Sequence, residues 1–171
     1  MAPVAVLIGP PGAGKTTVGT LLAARLGVPF ADTDVLVEAR AGRTIADVFT
    51  TDGEPAFRAL EREVVREALE THDGVLALGG GAVLAEATRA ALDGHAVVFL
   101  TVGMANGVRR TGLSTARPLL AGVNPRAMLR QMLETRAPLY GEVATLTVHT
   151  GGRTPEEIAA EVLATLTEAA R

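Results

Sequence analysis

One stretch near the N-terminus, Gly9-Pro10-Pro11-Gly12-Ala13-Gly14-Lys15-Thr16, most narrows what this chain can become. Before it, Val4 to Ile8 is a short apolar run bounded by Pro3 and Gly9, the pattern of a fully buried parallel strand. After it, Val18, Leu21, Leu22 and Leu26 recur at helical spacing from Lys15 onward, and Gly27 follows as a stop. The stretch between matches G-x-x-x-x-G-K-[ST] in full. Its glycines let the backbone wrap so that successive N–H groups point at phosphate oxygens, and the helix that follows brings its positive end to the same place. Lys15 is expected to reach the β- and γ-phosphates of a nucleoside triphosphate, with the Thr16 hydroxyl on Mg2+. The competing reading is a plain glycine-rich turn, which the strand before and the helix after argue against.

With 171 residues the chain suits one domain with a real core, and apolar residues make up 48% of it. Aromatics are only 3%, so Ala, Val and Leu must fill the interior. A net charge of −3 argues against wholesale binding to nucleic acid or an anionic membrane. The absence of cysteine excludes a disulfide framework, an Fe–S site and a Cys-ligated zinc. No signal-peptide layout or membrane-length apolar run is visible, so a cytoplasmic protein is expected. Of the 16 Lys and Arg residues the only lysine is Lys15, inside the glycine-rich loop. A compact ammonium fits between phosphates where a planar guanidinium does not, although a single lysine must fall somewhere.

Further along, a second strand carries Phe30 and Ala31 and ends in Asp32-Thr33-Asp34. Helix-rich sequence then runs from about Val35 to Thr71, interrupted near Gly42, where Thr44 and Asp47 resemble an N-cap pair, and at Asp52-Gly53. Val75 to Leu78 is a third strand, Leu84 to Leu92 a helix, Ala96 to Thr101 a fourth strand and Leu146 to His149 a fifth. Arg136 lies near the end of a later helix, before Pro138. Thr154, Pro155 and Glu157 mark the start of the last helix. Short strands alternating with longer helices predict an α/β fold with a parallel sheet covered on both faces. The segment 112–124, with Gly112, Pro118 and Gly122, Arg117 inside it and Arg109 and Arg110 before it, reads as a lid.

Asp32 and Asp34 sit at the end of the second strand, where ligands gather in α/β sheets. Residues i and i+2 of an extended chain share a face, so both carboxylates are expected in one site, one near Mg2+ and the other on a substrate hydroxyl. Alternatively, Asp34 merely caps the next helix. Gly79-Gly80-Gly81 follows a strand and precedes a helix, so its N–H groups could bind an anion, or it is a plain flexible turn. Arg58 and Arg136 taken singly are more often solvated helix faces. His72, His95 and His149 read as surface, and no metal-binding histidine spacing is present.

Together these pieces resemble shikimate kinase along nearly the whole chain. The matching segments are 9–17, Asp32-Thr33-Asp34, Gly42 to Phe49, Gly53-Glu54 with Phe57-Arg58 and Glu61, Leu78 to Ala82, Arg117 to Leu120, and Arg136 to Tyr140. The resemblance implies a nucleoside-monophosphate-kinase type of P-loop fold, with a five-stranded parallel sheet and a mobile lid. It implies transfer of the γ-phosphoryl of ATP to the 3-hydroxyl of shikimate, on the route to chorismate and aromatic amino acids. Asp34 would hold the reacting hydroxyl, Arg58 and Arg136 the shikimate carboxylate, and the Gly79, Gly80 and Gly81 backbone would complete that pocket, lined by Phe49 and Phe57. Gly12, Ala13, Gly14, Lys15, Thr16 and Thr17 would cradle ATP, with Arg110 and Arg153 to Pro155 bordering the adenine. Lys15 and Arg117 would face the transferring phosphoryl, Thr16 would bind Mg2+, and Asp32 would reach the metal through water. The same resemblance implies a monomer: one kinase domain over 1–171, with 32–61 as the substrate-binding region.

Two other classes stay in view. A gluconate or nucleoside monophosphate kinase would need a different substrate loop or a larger base-reading insert. A catalytically silent nucleotide-binding module would have no need for Lys15, Thr16, Asp32, Asp34 and Arg117 together.

Overall fold

Five of the short apolar runs assemble into one parallel sheet in the computed structural model, which describes residues 2–102 and 125–169. The strands are β1 (Ala5–Ile8), β2 (Phe30–Asp32), β3 (Val75–Ala77), β4 (Val97–Thr101) and β5 (Leu146–His149), in the order β2-β3-β1-β4-β5. β1 lies at the centre, with Val6 opposite Leu76 on one side and Val97 on the other. All four β1 residues are buried, as expected of a strand covered on both faces.

The two-residue period of a strand sorts the core into two layers. Ala5 and Leu7 face one cluster, with Val18 and Leu22 of α1 (Lys15–Leu26) and Ile158 and Val162 of the last helix. Val6 and Ile8 face the other, with Val65 and Leu69 of α4 (Glu54–Thr71). A smaller third cluster, Val37, Val48, Phe57 and Val64, joins α2 (Thr33–Ala41) and α3 (Ile45–Asp52) to α4. It builds a subdomain over the carboxyl end of β2.

After β3 the chain turns through Gly79 to Gly81 into one turn of 3₁₀-helix (Ala82–Leu84) and a short α5 (Glu86–Ala91), where the sequence predicts one helix from Leu84 to Leu92. Among the described residues the remaining helices are α6 (Pro125–Val143) and α7 (Pro155–Ala169). Local capping signals hold: Thr44 Oγ1 accepts from Asp47 N at 3.1 Å, and Thr154 Oγ1 from Glu157 N at 3.2 Å.

Two more expectations change. The extended segment ends at Asp32, and Asp34 lies in the first turn of α2, so the two carboxylates do not share a strand face. Asp32, not Asp34, is the N-cap, accepting from Asp34 N at 2.9 Å. Arg136 does not end a helix either, since α6 continues through Pro138 to Val143. An interior proline costs about 3 kcal/mol through its missing N–H and ring clash. Here Leu139, Tyr140 and Val143, just beyond it, pack on the sheet and offset that cost. The lid segment 112–124, with Arg110 and Arg117, lies outside the described residues.

Candidate active site

The phosphate-binding half grows from the end of β1. Gly9 presses against the Leu100 carbonyl of β4 so closely that a Cβ would overlap it. Gly14 takes φ +90° to open α1, a left-handed conformation that other residues rarely adopt. Lys15 Nζ donates to Gly9 O at 2.7 Å and to Pro10 O at 3.1 Å, so the ammonium arches over the loop it belongs to. Thr16 Oγ1 donates to Asp32 Oδ2 at 2.9 Å, while Asp32 Oδ1 holds the Asp34 N–H. One carboxylate therefore ties the start of α1 to the start of α2. Burial, and then the nearby Asp34 charge, push the Asp32 carboxyl above the usual aspartate value. The loop borders a cleft of about 480 Å³, completed by Asp32, Asp34, Leu78, Arg153 and Pro155. Arg153 is braced by Glu161 Oε2 at 2.6 Å and the His149 carbonyl at 3.1 Å.

A group that binds here must satisfy both a phosphate cradle and this oxygen-rich edge. Among the described residues, no cluster of three or more His, Cys, Asp or Glu could hold a metal. What the edge offers is the Thr16 hydroxyl beside the Asp32 carboxylate. Hard oxygen donors of this kind fit Mg2+ that keeps its waters and shares itself with nucleotide phosphates.

The second half is built against the glycine triplet. Gly79 N donates to Thr33 Oγ1 at 3.0 Å, fastening the turn to α2. A Cβ on Gly79 would lie 2.5 Å from Asp34 Oδ1 and 2.9 Å from Glu61 Oε2, so glycine is needed for both carboxylates to approach. A Cβ on Gly81 would lie 2.5 Å from Arg58 Nη1. Arg58 donates to Glu61 Oε1 at 2.8 Å and to Glu54 Oε1 at 3.4 Å, and its guanidinium stands 5.1 Å from the Phe57 ring centroid. Phe49 packs on Phe57 with ring centroids 4.8 Å apart.

Arg136 enters from α6, only 6% exposed. Burial lowers its pKa from the ordinary arginine value, the nearby Tyr140 phenol opposes that shift, and the charge of Arg58 adds to it. Glu61 is buried on the opposite wall, and burial outweighs the attraction of Arg58, so its carboxyl is pushed up. Two arginines held in one recess favour an incoming anion, and a carboxylate matches their fork geometry.

The model of the shikimate kinase family matches residues 11–167. Shikimate kinase from Thermobifida fusca (strain YX) is 63% identical over 162 residues, covering 95% of this chain and 93% of that protein. Shikimate kinase from Rhodococcus jostii (strain RHA1) is 53% identical over 168 residues, covering 98% of this chain and all 100% of its own length. Among solved structures, shikimate kinase from Acinetobacter baumannii in complex with shikimate superposes with a TM-score of 0.95 at 38% identity, covering 99% of this chain and 94% of that one. This chain belongs to the shikimate kinase family.

The fold is accordingly the P-loop kinase fold of the nucleoside-monophosphate-kinase type, a five-stranded parallel sheet flanked by helices. Gly12 to Thr17, Asp32, Asp34 and Arg153 border one cleft, and Arg58, Gly79, Gly80, Gly81 and Arg136 converge beside it. Arg110 and Arg117 fall outside the described residues. Three neighbours were not singled out for a role from sequence: Thr33, Glu61 and Tyr140. Glu61 had a legible signal, since it continues the buried face of α4 formed by Phe57, Val64, Val65 and Ala68. A carboxylate on such a face needs a partner, and Arg58 three residues earlier supplies it.

Proposed function

We propose that this chain is a shikimate kinase, which transfers the γ-phosphoryl of ATP to the 3-hydroxyl of shikimate and yields shikimate 3-phosphate and ADP, in aromatic amino acid biosynthesis. The observation that carries this reading is the position of Asp34. Its carboxylate borders the P-loop cleft and also touches Gly79, beside the recess of Arg58 and Arg136.

In this reading Arg58 and Arg136 take the shikimate carboxylate through paired N–H donors, with backbone N–H groups of the glycine turn beside them. Fixing the carboxylate end sets the ring so that its hydroxyl meets Asp34, which orients it and accepts its proton. Lys15 exchanges the Gly9 and Pro10 carbonyls for phosphate oxygens when nucleotide enters. With Arg117 it offsets charge on the transferring group, which needs positioning and electrostatics more than covalent chemistry. Thr16 and, through water, Asp32 would hold Mg2+, which when bound screens the phosphate oxygens. Gly12, Ala13, Gly14 and Thr17 contribute the phosphate cradle, and Arg110 and Arg153 flank the base. Segment 112–124 would serve as the lid that excludes water. The whole chain acts as a single cytoplasmic, monomeric kinase domain, with 32–61 binding the acceptor; among its described residues no helix is long and apolar enough to cross a membrane.

A coupled ADP-release assay across shikimate, gluconate and the nucleoside monophosphates tests the assignment. Shikimate should give turnover with MgATP and the others only background. Turnover with another acceptor and none with shikimate would overturn it.

A further inference from the structure

The hydrogen bonds of the glycine turn leave a short inventory. Gly79 O accepts from Ala82 N at 3.0 Å, Gly81 O accepts from Leu84 N at 3.1 Å, and Gly79 N donates to Thr33 Oγ1. Gly80 O accepts from the Tyr140 hydroxyl of α6. Among the described residues nothing accepts from the N–H groups of Gly80 and Gly81, although both residues are buried. Buried backbone donors are nearly always satisfied, so these two point to a ligand oxygen.

Which way they point is set by the carbonyls before them. In a planar trans peptide the C=O and the following N–H are antiparallel. Anchoring Gly80 O on Tyr140 therefore turns the Gly81 N–H away from α6. The same phenol lies beside Arg136, close enough to oppose the lowering of its pKa by burial. A hydroxyl has one proton and two lone pairs, so while it donates to Gly80 O it can accept from the guanidinium. Its ring is 1% exposed and rests on Phe99 with centroids 4.9 Å apart, which fixes where the oxygen sits.

We infer that Tyr140 is a positioning residue that holds both Arg136 and the Gly80–Gly81 peptide in register for the acceptor's carboxylate. It touches no reacting atom and acts through those two partners. This inference rests on the proposed acceptor, and the test separates the two.

The composition supplies a direct reporter. Tyr140 is the only tyrosine, and the chain has no tryptophan, so tyrosine emission and near-ultraviolet absorbance report on this phenol alone. Shikimate added without nucleotide should perturb that signal saturably, and ATP alone should leave it nearly unchanged. Tyr140→Phe keeps the ring and removes the oxygen. It should raise the shikimate KM roughly ten-fold or more, as expected for losing a hydrogen bond to a charged group, with the ATP KM within about two-fold. The penalty should shrink when the acceptor is the shikimate analogue with a primary alcohol in place of the carboxylate. A merely structural phenol would lower thermal stability without that dependence on the acceptor's carboxylate. An unchanged shikimate KM in Tyr140→Phe, or an equal penalty on both acceptors, would overturn the inference while leaving the kinase assignment standing. Should Tyr140→Phe not fold, 3-fluorotyrosine, incorporated at this one position, keeps the test: its 19F resonance should move with shikimate, and a resonance that does not move would overturn the inference. Absence of wild-type turnover with shikimate would instead sink the assignment itself.

Discussion

Gly79 offers the sharpest quantitative test of the site, because its missing side chain is where two carboxylates meet. Gly79→Ala adds a Cβ 2.5 Å from Asp34 Oδ1, whereas ordinary contact begins at 3.4 Å, so the carboxylate must retreat by about 0.9 Å (3.4 − 2.5). Glu61 Oε2, at 2.9 Å, must give by about 0.5 Å (3.4 − 2.9). Gly79 does not have a positive φ, so alanine brings no backbone strain of its own. Asp34 cannot back away with its backbone, which is held by the Asp32 cap, so the movement falls on its side-chain torsions. A misplacement near 1 Å can cost about 100-fold in rate, or about 2.7 kcal/mol of transition-state stabilisation. We therefore expect kcat with shikimate to fall about 100-fold, with ATP affinity by calorimetry unchanged. Gly141→Ala is the matched control, since its Cβ meets nothing within 4 Å and it sits inside α6. That substitution should leave kcat alone and stabilise the protein by about 0.5–1 kcal/mol. If Gly79→Ala keeps kcat within three-fold of wild type, the close approach of Asp34 to this turn does not position the reacting group.

Further perturbations separate the other parts of the site. Asp34→Asn should lower turnover by at least about 100-fold, the lower end for a general base, while nucleotide binding by calorimetry stays near wild type; retained turnover would remove the proton-accepting role. Arg58→Ala should raise the shikimate KM far more than the ATP KM, and equal effects in steady-state kinetics would take Arg58 out of the carboxylate site. Glu61 carries a pH signature. Burial, ahead of the opposing Arg58, raises its pKa above 4.5, so the folded state binds that proton more tightly than the unfolded chain. Its contribution is most favourable below pH 4.5 and is lost as pH rises through the raised value. Thermal unfolding across pH should show Glu61→Gln gaining relative to wild type over that window; parallel profiles would contradict the assignment.

Local sequence carried the elements whose signals lie within a few residues. α1 runs from Lys15 to Leu26 as its apolar spacing and Gly27 predict, β5 spans Leu146 to His149, and the Thr44 and Thr154 caps form where expected. The ordered motifs also named the family, because phosphate binding and acceptor binding each leave residue types at recognisable spacing. Asp34 went the other way. Extended spacing suggested a shared strand face with Asp32, but the Asp32 cap started α2 one residue later and turned Asp34 into the helix.

The P-loop, its glycines and its lone lysine were thus determined by the sequence itself, since backbone conformation and phosphate chemistry are set within eight consecutive residues. Only the tertiary structure decided that Asp34 and Glu61 both reach Gly79, and that Tyr140 bonds to Gly80. The Thr33 and Tyr140 bonds to the glycine turn span 46 and 60 residues of chain. No local period encodes contacts of that range. They follow from the strand order β2-β3-β1-β4-β5 and from the burial that packs α2, α4 and α6 around one turn.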